Sequence, residues 1–117
     1  MKISTIREII DAEVVCGEEF LEDEVHSACG SDMMSDVLAF VKDQAVLLTG
    51  LCNPQVVRTA VMMDMKCIVF VRGKVPPEAV IELANEGGIV VLATSKRMYE
   101  ACGELYTHGL NGAAVHG

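Results

Sequence analysis

Polar and thiol side chains follow three short apolar runs of the sequence, at the points where each run ends. They are Thr49, Gly50, Cys52 and Asn53 after the first run, Arg72 and Gly73 after the second, and Thr94 and Ser95 after the third. Their hydroxyls, amide, guanidinium and backbone N–H groups suit a phosphate or another small anion. Each residue type is also typical of helix caps and turns, which alone would explain the composition. The phosphate loops G-x-x-x-x-G-K-S/T and G-x-G-x-x-G are absent from the sequence.

Cys52 is the member of this set that could act as a nucleophile. It precedes Asn53-Pro54, a strong helix start, and the helix dipole there is expected to lower the thiol pKa. A catalytic thiol also wants a nearby base, and His26, His108 and His116 are all distant in sequence. The five cysteines show no metal-ligand spacing and no close pair, so we expect no metal, no cofactor and no disulfide framework.

Composition and charge exclude several function classes. A length of 117 residues predicts a single domain over residues 1–117. The net charge of −8 and nine scattered Lys and Arg residues argue against nucleic-acid binding, which requires a basic surface. We expect no signal peptide, because residues 1–11 lack a continuous apolar centre, and no apolar run is long enough to span a bilayer. The odd number of cysteines predicts reduced thiols in the cytoplasm. We also expect that the protein does not enter the membrane.

The three apolar runs predict the centre of a sheet. They cover residues 45–49, 67–71 and 89–93 and repeat every 22 residues, with almost no polar interruption. Unbroken β-branched runs of this length are typical of parallel strands buried on both faces. We predict an α/β fold: a small, mostly parallel sheet with a βαβαβ core, whose right-handed crossovers place both helices on one face.

The two helices of this core have clear start and stop signals. Asn53 caps the first helix and Pro54 starts it, while Pro76-Pro77 start the second, which Gly87-Gly88 end. The 3.6-residue period predicts that the first helix buries Val56, Val57, Ala60 and Val61. Arg58 and Met62 then point outward, and an exposed Met beside an Arg indicates an interface.

The N-terminal segment adds one helix and two short strands. We predict a helix over residues 5–11 capped by Ser4, and strands at 13–16 and 25–29. The strongly acidic residues 18–24 between the strands are expected to form a solvated turn. An acidic calcium loop is not expected, because the segment lacks the regular ligand spacing and the tight Gly.

Two further helices complete the predicted fold. Ser31 or Asp32 caps a helix before the sheet core, and Thr94 or Ser95 caps a final helix. The residues expected to face inward are Met34, Val37, Leu38 and Val41 in the earlier helix and Met98, Ala101, Cys102 and Leu105 in the later one. We expect residues 108–117 to form a flexible, Gly-rich tail.

The order of these elements resembles the DRTGG domain over roughly residues 5–106. The resemblance is carried by residues 25–38, 46–50, 67–84 and 88–92. DRTGG domains are α/β modules found beside CBS domains in regulated pyrophosphatases, in phosphotransacetylases, and alone in some bacteria. They are similar to the N-terminal domain of HPr kinase/phosphorylase. The resemblance implies a dimerising, regulatory module rather than a self-contained catalyst.

The two signature loops of that family differ here. Where the family usually has Gly-Asp-Arg, this chain has Gly50-Leu51-Cys52, and where it usually has Thr-Gly-Gly, this chain has Val71-Arg72-Gly73. Gly50 and Gly73 therefore carry over, and the side chains beside them do not. The hydrophobic framework matches the family more closely than its loops do.

Three functions follow from these observations. The first is a homodimeric regulatory module that binds a small anionic ligand, such as an adenine nucleotide, at the eight loop residues named above. The second is a thiol-dependent enzyme or redox partner that uses Cys52. The third is a structural dimerisation scaffold that binds protein partners and no ligand.

Overall fold

A five-stranded sheet forms the centre of the protein in a computed structural model that describes residues 1–40 and 45–111. Its strands are β1 (Glu13–Cys16), β2 (Ser27–Gly30), β3 (Ala45–Thr49), β4 (Cys67–Phe70) and β5 (Val90–Ala93). The strand order is β1-β5-β4-β3-β2, and β2 to β5 are parallel while β1 runs antiparallel to β5. The predicted α/β class with a mostly parallel sheet is confirmed.

Helices cover both faces of this sheet. They are α1 (Ile3–Ile9), α2 (Met34–Phe40), α3 (Pro54–Met62), α4 (Glu78–Gly87) and α5 (Met98–Thr107). Helices α2, α3 and α4 pack on one face, and α1 and α5 pack on the other. The predicted placement of the two crossover helices on one face is therefore confirmed.

The central strands are buried on both faces, as their unbroken apolarity predicts. Every residue of β3 and β4 is buried. Leu47, Ile68, Phe70 and Val91 face the layer formed by α2, α3 and α4, whereas Val46, Leu48, Val69 and Leu92 face α1 and α5. The two cores are therefore separated by the sheet, and alternate residues of each strand belong to different cores.

Helix α1 starts earlier than predicted. It spans Ile3–Ile9 with Lys2 at the N-cap position, and Ser4 lies inside the helix. The first N–H groups of the helix find partners elsewhere in the chain: Ile3 N–H donates to Asp23 O (3.0 Å) and Ser4 N–H donates to Leu21 O (2.8 Å). These tertiary hydrogen bonds satisfy the helix terminus without a capping side chain, which is why the local capping rule fails here.

Two residues predicted to be buried are exposed. Leu38 of α2 is 40% exposed and Val61 of α3 is 52% exposed. The buried faces of these helices are narrower than predicted, since Met34 and Val37 suffice for α2, and Val56, Val57 and Ala60 for α3. The prediction for Val41 falls outside the described residues.

Strand β2 and the end of the chain also differ from prediction. Strand β2 begins at Ser27, two residues later than predicted, and includes Gly30. Leu110 is buried, and Asn111 O accepts a hydrogen bond from Ala28 N–H of β2 (3.0 Å). The tail prediction is thus wrong for residues up to 111, which cover the edge strand, and residues 112–117 lie outside the described part.

Across residues 1–40 and 45–111, no helix has both the length and the apolarity needed to cross a bilayer.

A basic sheet edge as candidate functional site

The eight residues predicted for a ligand site lie in three loops at one edge of the sheet. Strands β3, β4 and β5 are parallel neighbours, so their carboxyl ends meet there. The loops are residues 49–53, 71–74 and 94–97. Most polar groups of these eight residues already have hydrogen-bond partners within the chain. The eight residues therefore do not form a single site with free donors.

Asp32 occupies the donors that follow β3. Its Oδ1 accepts a hydrogen bond from Thr49 Oγ1 (2.9 Å) and another from Gly50 N–H (2.8 Å). Thr49 Oγ1 in turn accepts from Leu51 N–H (3.1 Å), which closes the turn. A carboxylate of the chain itself therefore binds at the position expected for an anionic ligand.

The electrostatics of Asp32 agree with this role. The hydrogen bond from Gly50 N–H lowers the pKa of Asp32 below its usual range. Partial burial opposes this change, while the hydroxyl of Thr49 and the positive charges of Arg72 and Lys74 favour it. Asp32 is therefore the anionic partner of this group at neutral pH.

The sequence predicts Ser31 or Asp32 as the cap of α2, and for Asp32 this is wrong because its carboxylate binds Thr49 and Gly50 instead. Strand β2 pairs with β3 up to Gly30 and Leu48, and Ser31 N–H continues the ladder by donating to Leu48 O (3.0 Å). This pairing places the next residue, Asp32, beside Thr49. The pairing of β2 with β3 is the signal that would have identified this residue.

Arg72 lies beside Asp32 and Gly50. Its backbone φ is +62°, in the left-handed region, and that of Gly73 is +69°. Arg72 N–H donates to Lys96 O (2.7 Å) and Gly73 N–H donates to Thr94 O (3.0 Å). With both amides used by the neighbouring loop, the functional groups that this turn presents are the side chains of Arg72 and Lys74.

The Arg72 guanidinium lies over Gly50. A Cβ placed on Gly50 would overlap the guanidinium nitrogen Nη2 and would lie 3.0 Å from Cζ. Glycine is therefore required at position 50 for this packing rather than for backbone conformation. The arrangement brings a cation from the second loop onto the first.

Cys52 does not have the activated thiol that its position suggested. Burial raises the pKa of Cys52, and the positive charges of Lys74 and Arg72 oppose that effect only in part. The predicted lowering by the helix dipole is wrong because desolvation of the half-buried thiol is the larger contribution. Asn53 caps α3 as predicted, with Oδ1 accepting from Val56 N–H (3.3 Å).

No base for Cys52 is found among the two described histidines. His26 precedes β2 and therefore lies at the amino edge of the sheet, opposite Cys52. His108 ends α5, and its Nδ1 lies 2.7 Å from Glu104 O. His116 is outside the described residues.

A cleft of about 490 Å³ lies beside the turn, between α1 and the loops after β4 and β5. Its lining includes Gly73, Thr94 and Ser95 from the predicted set, together with Arg7, Glu13 and Lys74. This volume lies within the range of small-molecule sites. Lys74 belongs both to the cleft and to the charged group around Asp32, so it connects the two.

Thr94 has a structural role at this cleft. Its hydroxyl donates to Ile10 O (2.7 Å) and accepts from Lys96 N–H (3.2 Å). The prediction that Thr94 or Ser95 caps α5 is wrong, since the N-cap residue is Arg97 and it makes no side-chain capping bond. Ser95, by contrast, is exposed at the cleft.

Basic residues are concentrated at this edge of an acidic chain. Four of the nine basic residues, namely Arg72, Lys74, Lys96 and Arg97, follow β4 or β5 directly. Lys96 is paired with Glu104 (2.9 Å), while no ion pair within 4.0 Å involves Arg72 or Lys74 among the described residues. These two cations are available to an anion. No cluster of potential metal ligands occurs in the part of the chain that the structure describes.

Comparison with known proteins places these observations in a family. The DRTGG domain family model matches residues 5–106. A similar solved structure is the crystal structure of the CBS and DRTGG domains of the regulatory region of Clostridium perfringens pyrophosphatase, complexed with its activator diadenosine tetraphosphate. It is 17% identical with a TM-score of 0.71, and the match covers 89% of this chain but 45% of that one. This likeness shows the fold. None of the curated proteins compared matches the sequence.

Proposed function

The chain belongs to the DRTGG domain family, and on that basis we propose that it is a regulatory module that senses a small anionic ligand. The ligand class is a phosphorylated metabolite, with adenine nucleotides as the first candidates. The similar pyrophosphatase regulatory region is described with a nucleotide activator, which supports this choice.

The basic edge carries the proposal. In a chain of net charge −8, four cations cluster after β4 and β5, and Arg72 and Lys74 are free of ion pairs within the described residues. A phosphoryl group binds to these two side chains. The rest of the ligand occupies the cleft beside Gly73 and Ser95.

Asp32 sets the limits of this site. Since its carboxylate already accepts from Thr49 and Gly50, the ligand does not use these donors. The positive charges of Arg72 and Lys74 help to lower the pKa of this carboxylate. Asp32 therefore competes with a phosphoryl group for these two cations. The ligand therefore binds weakly unless it has a larger negative charge than one carboxylate. A nucleoside triphosphate meets this condition.

The setting of the module is part of the proposal. It is a single domain that acts in the cytoplasm as a homodimer, and it transmits ligand occupancy to a protein partner. The five cysteines, an odd number without a close-spaced pair, are expected to remain reduced there. The raised pKa of Cys52 gives no support to a thiol enzyme.

A structural scaffold is the second candidate, and the Asp32 hydrogen bonds favour it. A site whose backbone donors are satisfied internally needs no ligand for stability. The two candidates differ in one observable, which is whether any phosphorylated metabolite binds.

The test is a thermal-shift screen against nucleotides and phosphorylated metabolites, followed by calorimetric titration with the best compound. A ligand at 100 times its Kd stabilises the fold by about 2.7 kcal/mol, which is readily visible for a domain of this size. Arg72→Ala and Lys74→Ala are each expected to weaken binding about tenfold, and Asp32→Asn to strengthen it. Lys66→Ala is the matched control, since it removes one positive charge at the amino end of β4, away from the proposed ligand site. Absence of any thermal shift would support the scaffold instead.

A further inference from the structure

An apolar groove between α3 and α4 lies away from the ligand edge. It has a volume of about 430 Å³, and its lining includes Val57, Val61, Met62 and Leu83, with Arg58 and Glu86 as its charged members. Val61 is 52% exposed and Met62 is 72% exposed. Adjacent apolar side chains exposed to this degree form a surface to which another molecule can bind.

The floor of the groove is a close approach of the two helices. A Cβ placed on Gly87 would lie 2.8 Å from Val61 Cγ2, so the end of α3 packs directly on the last residue of α4. The absence of a side chain at Gly87 makes room for Val61, whose Cγ2 lies where a Cβ would otherwise stand. Met62, which also lines the groove, is a flexible side chain well suited to fill the groove of another molecule.

The two charged residues belong to opposite walls. Arg58 lies on α3, Glu86 lies on α4, and no ion pair joins either of them to another described residue. In a dimer whose two-fold axis runs along the groove, α3 of one protomer faces α4 of its partner. Arg58 then meets the partner's Glu86 twice, as a two-fold interface requires.

We propose that this groove is the homodimer interface, in which Met62 inserts into the groove of the second copy and Arg58 pairs with the partner's Glu86. The proposal rests on the homodimer of the proposed function and assigns its surface. Two copies of a chain with net charge −8 repel each other, so a contact that brings cations to anions offsets part of that repulsion.

The exposed face of α5 is the competing surface. It has an apolar depression lined by Met98, Tyr99, Cys102 and Tyr106, and Tyr99 is 89% exposed. No charged residue lines that depression, so nothing there selects a second copy over another apolar partner. This face therefore supplies the control variant.

Charge reversal with rescue tests the interface, with the mass measured by sedimentation velocity over a concentration series. Wild type is expected to be dimeric, and Arg58→Glu and Glu86→Arg are each expected to raise the dimer Kd at least tenfold. The double variant R58E/E86R restores the pairing with reversed sign and is expected to recover the wild-type Kd. Tyr106→Glu on α5 is expected to leave dimerisation unchanged.

The outcomes separate the two proposals. A dimeric wild type that R58E does not weaken, or that the double variant does not rescue, overturns the groove interface and leaves ligand sensing intact. Dissociation by Tyr106→Glu alone moves the interface to α5. A monomeric wild type removes the homodimer from the proposed function, while the nucleotide titration still tests the ligand site on its own.

Discussion

The guanidinium of Arg72 lies over Gly50, so close that a Cβ at position 50 would overlap it. The contact joins the loop after β4 to the loop after β3. It also places a cation beside the Asp32 carboxylate that accepts from Gly50 N–H. Glycine at position 50 thus determines where the principal cation of the candidate site lies.

Gly50→Ala is expected to separate ligand affinity from stability. The new methyl group displaces the flexible end of Arg72, so unfolding free energy should change by less than about 1 kcal/mol, while nucleotide affinity should fall about tenfold. Gly88→Ala is the control. Gly88 has φ +68° and a Cβ there would meet no atom within 4 Å, so alanine costs about 1 kcal/mol in backbone strain and leaves affinity unchanged. Equal affinity in the Gly50→Ala variant and wild type would place the ligand elsewhere.

Asp32→Asn is expected to remove part of the acid sensitivity of the fold. The native pKa of Asp32 is lowered below its unfolded value of about 4, chiefly by the Gly50 N–H. The ionised carboxylate therefore stabilises the protein above about pH 4, and this contribution disappears as the pH falls through the native pKa. The Tm of wild type should exceed that of the variant at pH 7, and the difference should shrink below about pH 4. A difference of equal size at pH 3 and pH 7 would contradict this assignment.

The Cys52 thiol is expected to react slowly. Burial raises its pKa, so at pH 7 it has less thiolate than a free cysteine, and its rate with iodoacetamide should be lower. The rate should rise as the pH exceeds 9, and Lys74→Ala should slow it further by removing an opposing positive charge. The rate of Cys52 alkylation is measured by site-resolved mass spectrometry, with the unfolded protein as the reference. A rate above that of free cysteine at pH 7 would return the thiol enzyme to consideration.

Thr94→Val is expected to destabilise the link between β5 and α1. The buried hydroxyl donates to Ile10 O and accepts from Lys96 N–H, and valine leaves both backbone groups without that partner. The cost should be about 1–3 kcal/mol in urea unfolding. Thr107→Val provides the comparison, because that hydroxyl is exposed and bonds Glu104 O in its own helix, and it should cost less than about 0.5 kcal/mol. Similar losses in both variants would show that the Ile10 contact adds nothing.

The sheet core is the part of the fold that local pattern predicts well. Strand β3 has the predicted limits, and β4 and β5 differ from prediction by one residue at one end. Buried parallel strands have a strong local signature because every residue in them must be apolar. The partners of β1 and β2 at the two sheet edges could not be predicted, since strand pairing depends on contacts that periodicity does not encode.

The candidate site is predicted in location and less well in role. The eight predicted residues lie at or just beyond the carboxyl ends of the strands, because topology alone brings those ends together. Their partners are long-range: Asp32 is 18 residues from Gly50, and Thr94 is 84 residues from Ile10. A capping rule that considers only neighbours in sequence assigns both side chains to the nearest helix. For Cys52, the sequence shows the helix start but not the burial that dominates its pKa.

The antiparallel pairing of β1 with β5 has a consequence for synthesis of the chain. β1 leaves the ribosome well before β5, its neighbour in the sheet. Until β5 and α5 have emerged, the isoleucines of α1 lack the core that includes Leu92, Ala101 and Leu105. The parallel strands β2 to β5 pair with neighbours in chain order and can assemble progressively. We therefore expect the N-terminal segment to dock last and, in hydrogen exchange, to open first.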